Sequence, residues 1–238
     1  MTLDGLIQNI NGLAFRVVED QEEVATLEIV DNIDEQVLLE QILEASKPPL
    51  KVNHPDYLIS SPFRYPPLSH GSRFGGRYDN SLFYGSLSAH TALAETAYYR
   101  FLFWSGIVNK PINTLKTSHT LFQVNYNTDY GAKLQSSIKW QKKLTDPTDY
   151  SFTKQTGAAM RELGIEGFEF ASARDKQKGI NVAFFNPKPI RSKHALNKEI
   201  IRCFTNDNTV SFKQNGSFNS WSFTIKEFYA DGKLAVVH

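Results

Sequence analysis

The sequence predicts an α+β fold, and three observations carry that prediction. Helix-like and strand-like segments mix along the 238 residues without the regular βαβ alternation of a doubly wound sheet. The second half is rich in short alternating runs, "EGFEFASAR", "INVAFFNP", "TVSFKQ" and "SWSFTIKEFYA", whose period of two marks strands. With 41% hydrophobic and 13% aromatic residues, the chain can bury a full core, expected as one unit over residues 1–238.

Taken in order, residues 14–18, "AFRVV", are the first expected strand. The acidic "DNIDEQVLLEQILEASKPP" follows as a helix, with Val37, Leu38, Ile42 and Leu43 at helical spacing. Asn32 or Asp34 would cap it and Pro48-Pro49 would stop it. The proline and glycine density of "HPDYLISSPFRYPPLSHGSRFGG" predicts a loop, with regular structure confined to a short "YLI". "SLFYGS" then alternates as a strand, and Ser88 N-caps a helix running to about Trp104. Leu93, Ala97, Phe101 and Trp104 form one apolar stripe on it. Next come a strand at "HTLFQVNYN", an ambiguous "KLQSSIKWQKKL", and a helix in "TKQTGAAMRELG" capped by Thr153 and ended by Gly164. The two strands of "EGFEFASAR" and "INVAFFNP" are joined by the charged turn "DKQKG", and the tail past about residue 190 is β-rich.

Composition narrows the function. The 26 basic and 25 acidic side chains nearly cancel, which removes the global field that would recruit nucleic acid or an anionic membrane. The lone cysteine, Cys203, excludes an internal disulfide and a cysteine-based zinc site. Six scattered histidines at 54, 70, 90, 119, 194 and 238 offer no metal-ligand spacing, so no metal is expected. The N-terminal segment lacks a basic n-region and an apolar h-region, and no run spans a bilayer, so a soluble cytoplasmic protein is expected. "GSRFGG" lacks the remainder of a dinucleotide fingerprint, and no P-loop is present.

The chemistry-bearing residues begin with Glu95. Between Ala89 and Trp104 it and Arg100 are the only charged residues, and a separation of five puts them on different helix faces. Glu95 must therefore lie along a polar edge or be satisfied by a cation from elsewhere. The preceding glycine-flanked loop supplies Arg73 and Arg77, either surface charges or ligands for a planar anion. Tyr84 is a core aromatic or a stacking face, and Ser172, at a strand end in "FASAR", is a turn residue or a polar site group.

The blocks "PFRYPP", "GSRFGG", "LFYGS" and "TALAETAYYR", followed by "DYSFTKQTGAAMRELGIEGFEFASARD" and "NVAFFNP", resemble the RES domain family over about residues 14–187. The resemblance implies an ADP-ribosyltransferase-like fold with two small sheets and flanking helices. It also implies a toxin that consumes NAD as substrate and is held in check by a cognate antitoxin protein. Carried over by position, the family arginine falls on Arg73, with Arg77 as its rival in "GGRYDN". The tyrosine falls on Tyr84, the glutamate on Glu95 and the serine on Ser172. Glu95, Arg73 and Ser172 are the expected catalytic set, and Arg73, Tyr84, Arg77 and Ser172 the expected nucleotide-binding set. The extension past about residue 190 has no counterpart in the resemblance.

Overall fold

The computed structural model describes residues 3, 5–20, 32–46, 56–65, 67, 69–112 and 114–237. Its elements are β1 (Ile7–Glu19), α1 (Ile33–Ser46), α2 (Tyr57–Arg64), β2 (Phe83–Ser86), α3 (Ala89–Gly106) and β3 (Leu115–Lys133). There follow α4 (Gln141–Leu144), α5 (Ser151–Glu162), β4 (Gly167–Ala171), β5 (Ile180–Phe184), β6 (Leu196–Thr205), β7 (Thr209–Gln214) and β8 (Ser220–Thr224). A two-stranded ribbon, β9 (Tyr229–Ala230) with β10 (Lys233–Leu234), ends the chain.

The predicted α+β class is the one observed. Eight strands run in the order β1-β2-β5-β4-β3-β6-β7-β8, and β1 also pairs antiparallel with β3 from Ile7 opposite Ala132 to Glu19 opposite His119. The other edge of β3 is shared: its C-terminal end carries β4 in parallel, and its N-terminal half carries β6 antiparallel. The two small sheets expected are thus two wings of one sheet, β4-β5-β2 and β6-β7-β8, hung on the long β1–β3 ladder. β1 meets β2 at a single residue pair, Phe15 with Ser86, so the sheet gapes between them.

Helix α3 straddles that gap, and its two faces explain how. Leu93, Ala97, Phe101 and Trp104 are all buried, as their spacing predicts, and the first three pack with Ile201, Val210, Phe212, Phe223 and Phe228. Each buried Leu, Ile, Val or Phe side chain among them contributes about 1.5–3 kcal/mol on leaving water. The C-terminal wing therefore anchors the helix, reinforced by the Tyr98 hydroxyl donating to the Ala235 carbonyl at 2.8 Å. Ser88 caps α3 as expected, accepting from the Thr91 N–H at 3.1 Å.

Several local expectations change. The "YLI" segment is a full helix, α2, because Asp56 caps it through the Leu58 N–H at 2.8 Å and buries Ile59 and Phe63 in the core. Helix α5 starts at Ser151, two residues before Thr153, which instead donates to the Tyr150 carbonyl at 3.0 Å inside the first turn. Gly164 ends it with φ +70°, as predicted. Asn32 caps α1 by accepting from the Glu35 N–H at 2.9 Å, while Val37, Leu38 and Ile42 face solvent. The Pro48-Pro49 stop lies outside the described residues. Strand β6 was not foreseen, since Lys198, Glu199 and Arg202 blur its alternation.

Two glycines let elements approach too closely for any side chain. A Cβ on Gly157 of α5 would sit 2.1 Å from the Phe74 carbonyl oxygen, so only glycine lets α5 press on the Ser72–Phe74 loop. A Cβ on Gly179 would meet the Thr91 hydroxyl at 2.0 Å, so the β4–β5 turn seats on the start of α3 for the same reason.

Candidate functional site

The gap in the sheet holds a cavity of about 300 Å³. Its walls come from β1 (Phe15–Val17), the Ser72–Arg73 loop, β2 (Tyr84–Ser86), one face of α3, Tyr150, Phe170 and Asn181. The α3 residues are Ala92, Glu95, Thr96 and Tyr99, spaced i, i+3, i+4 and i+7, which is the face turned away from the apolar stripe. A helix with one face in the core and another on a cavity needs few charges, and this resolves why Glu95 stands alone.

Glu95 is partly buried, and in place of the cation its sequence position allowed for, neutral donors meet it. Its Oε1 accepts from the Ser172 hydroxyl and from the Asn181 amide, each at 2.6 Å. Ser172 immediately follows β4 and Asn181 is the second residue of β5, so this hairpin flanks the carboxylate from both sides. Both donors are only 4% exposed. The Ser172 oxygen in turn accepts from the Arg174 and Asp175 N–H groups at 3.1 and 2.9 Å, combining the turn role and the site role. Asn181 pairs in register with Ser86 on β2, whose hydroxyl donates to Asn181 Oδ1 at 2.7 Å.

Arg73 also lines the cavity. Its Nη1 donates to the Leu144 and Asp146 carbonyls at 3.1 and 3.0 Å, and its guanidinium lies 4.2 Å from the Tyr150 ring centroid. Its Nη2 is buried without a hydrogen-bond partner. Such a donor costs about 1–3 kcal/mol while unpaired. Arg77 is placed elsewhere: it is exposed, lies over Tyr78 at 4.9 Å and takes no part in the cavity wall.

Tyr84 lines the cavity, but its hydroxyl is occupied. It bonds the Ser72 hydroxyl at 3.0 Å and accepts from the Phe74 N–H at 3.2 Å, tying down the loop that carries Arg73. Burial pushes its phenol pKa above the ordinary value. Tyr99, four residues after Glu95 on the same face, is 57% exposed at the rim.

Sequence reasoning missed Arg16 and Asn181. Arg16 donates to the Tyr84 carbonyl at 2.6 Å, lies 4.7 Å from the Phe83 ring centroid, and keeps a buried Nε without a partner. Desolvation lowers its pKa to about 10, which leaves it cationic at neutral pH. The cavity thus has two arginines and one carboxylate. A signal existed for both, since Arg16 in "AFRVV" and Asn181 in "INVAFF" are polar residues inside apolar strands, as Glu95 is inside an apolar helix. Among the described residues no cluster of three or more His, Cys, Asp or Glu stands ready for a metal, and no helix is long and apolar enough to cross a membrane.

No curated protein matches the chain significantly. Solved structures similar to it include a chain of the M. tuberculosis MbcT-MbcA toxin-antitoxin complex, at 10% identity and a TM-score of 0.44, covering 87% of this chain and 95% of that one. The family model of the RES domain matches residues 48–205, taking in the Arg73 loop, Tyr84, α3 with Glu95 and the β4–β5 hairpin. The chain belongs to the RES domain family.

Proposed function

We propose that the cavity binds NAD and cleaves its nicotinamide–ribose bond, the chain acting as the toxin of a toxin–antitoxin pair with a cognate protein inhibitor. The observation that carries this reading is the carboxylate of Glu95, held on one oxygen by two neutral donors at the wall of a cavity that also presents two arginines.

Breaking that bond builds positive charge on the ribose, while the departing pyridine is already cationic and needs no proton. A single fixed carboxylate then suffices as the electrostatic partner of the developing charge. Neutral donors suit the task, because they orient Glu95 without cancelling the charge it must present. Arg73 and Arg16, which both line the cavity, are the groups for the pyrophosphate. Tyr84 and Tyr99 supply aromatic surface for the rings of the dinucleotide. Water, inorganic phosphate or a protein side chain would take the ADP-ribose.

The test is to incubate the purified protein with NAD, follow free nicotinamide, and weigh the protein afterwards for attached ADP-ribose. Release of nicotinamide is expected, and the products separate hydrolysis, phosphorolysis and transfer. NAD left intact at micromolar enzyme would overturn the reading.

A further inference from the structure

We infer that Asn181 is a positioning residue for Glu95, and that the direction of its hydrogen bonds leaves only Oε2 of that carboxylate to face substrate. The inference rests on the NAD reading for its kinetic consequences and on geometry alone for its electrostatic one.

The direction is fixed by counting protons. The Ser172 oxygen accepts two backbone N–H groups, so both its lone pairs are used and its one proton points to Glu95. The Asn181 amide has one orientation that works. With Oδ1 on the Ser86 hydroxyl, its NH₂ donates to Glu95; turned over, it would set a carbonyl against a carboxylate. Ser86 to Asn181 to Glu95, met by Ser172 from the other side, is therefore a one-way chain ending on Oε1. With two donors there, Oε1 cannot carry a proton, and among the described residues no group bonds Oε2. The same count removes Ser172 as an acceptor of ADP-ribose, since it has no free lone pair with which to attack.

The chain is set by register. Ser86 and Asn181 are cross-strand partners, and a slip of one residue between β2 and β5 would send one of them to the opposite face. Both are buried, at 3% and 4% exposure, so water does not compete for these bonds.

The decisive variant is Asn181→Asp, nearly isosteric but with an acceptor where the donor was. Two carboxylates would then share the position, so the acid limb of the kcat profile should move to higher pH. At neutral pH kcat should fall by about 10- to 100-fold, the loss expected for a hydrogen bond to a charged group. The KM for NAD should stay near that of the parent, because Asn181 holds Glu95 and not the dinucleotide. Asn181→Ala, which removes one donor to the ionised carboxylate, should lower kcat and move the limb to higher pH by less than Asn181→Asp does, a graded shift that a purely structural role would not produce. Should Asn181→Asp not fold, Ser86→Ala frees the amide to turn and should lower kcat several-fold at unchanged KM.

A folded Asn181→Asp protein with the parent's kcat and pH profile overturns the inference. A parent protein that leaves NAD intact overturns only the NAD reading. In that event the Glu95 carboxyl, followed by carbon-13 NMR against Glu95→Gln, decides the network: its titration midpoint rises in Asn181→Asp if the inference holds and stays put if it does not.

Discussion

Glu95 and Arg100 stand five residues apart on one helix, and each is a charged group in apolar surroundings. Their neighbourhoods differ in kind. Arg100, 5% exposed, meets a carboxylate of opposite charge, Glu19, at 2.9 Å, and lines no wall of the cavity. Glu95 meets only neutral donors and lines the cavity with one oxygen unused. A charge that the fold neutralises supports the fold; a charge that is oriented but left whole is available for a ligand. The helix keeps the two apart because residues five apart point about 140° away from each other.

The sharpest way to break this comparison is Glu95→Gln. Glutamine keeps an oxygen for Ser172 and Asn181, so the fold and the melting temperature should hold. Only the negative charge goes. If Glu95 acts like a single preorganised electrostatic group, removing it costs about 2.7–4 kcal/mol, or about 10²- to 10³-fold in the rate of nicotinamide release. A folded variant releasing nicotinamide at the parent rate would erase the distinction.

The two arginines of the glycine loop sharpen it next. Arg73→Ala should weaken NAD binding by about 10- to 100-fold, since it removes a charge-assisted contact from a partly buried site. Arg77→Ala should change it by about twofold or less, as an exposed charge on a loop does. Titration calorimetry on both variants reads the difference, and the reverse ranking would move the anion site to Arg77.

Much of this was legible in the sequence, for physical reasons that can be named. Helix α3 announced itself by a capping serine and an apolar stripe, both local patterns, and both hold. The unusual placement of Glu95 was legible for the same reason. Its true partner was not, because the meeting of Asn181 with Glu95 depends on strand register across 86 positions of sequence. No local period encodes that. The split of β3 between two wings was equally hidden, since a single long strand looks the same whether one neighbour or two share its edge. Helix α2 was missed because proline at 62 argues against a helix, while an aspartate cap and two buried apolar side chains outweigh it.

On the Arg100 side, Glu19→Ala should reduce stability and leave catalysis alone. It strips the carboxylate from a buried guanidinium whose Nε and Nη2 already lack partners. Glu19 is itself nearly half exposed, so the loss should be about 1–3 kcal/mol, below that of a fully buried pair. Urea unfolding measures it. Nicotinamide release per folded molecule should match the parent, and a matching fall in rate would show that the two ends of α3 are coupled.

The smallest effect belongs to His119, buried on β3 beside this ion pair and edge-on to Phe212 at 6.1 Å. Burial lowers its pKa below 6.5; Glu19 and Asp20 oppose the shift and Arg100 adds to it. The unfolded chain therefore binds a proton at a higher pH than the folded one, and stability falls as pH drops below about 6.5. The fall levels off once the pH is below the folded value. Each unit of lowering is worth about 1.4 kcal/mol. Asp146 and Asp207, whose folded pKa values lie below the usual carboxylate range, lose their contribution only at pH 4 and under, so they do not mask this window. Melting curves between pH 7 and 5 should accordingly be flatter for His119→Gln than for the parent. The Glu95 side should be indifferent to this substitution at pH 7, where both proteins carry a neutral side chain at position 119.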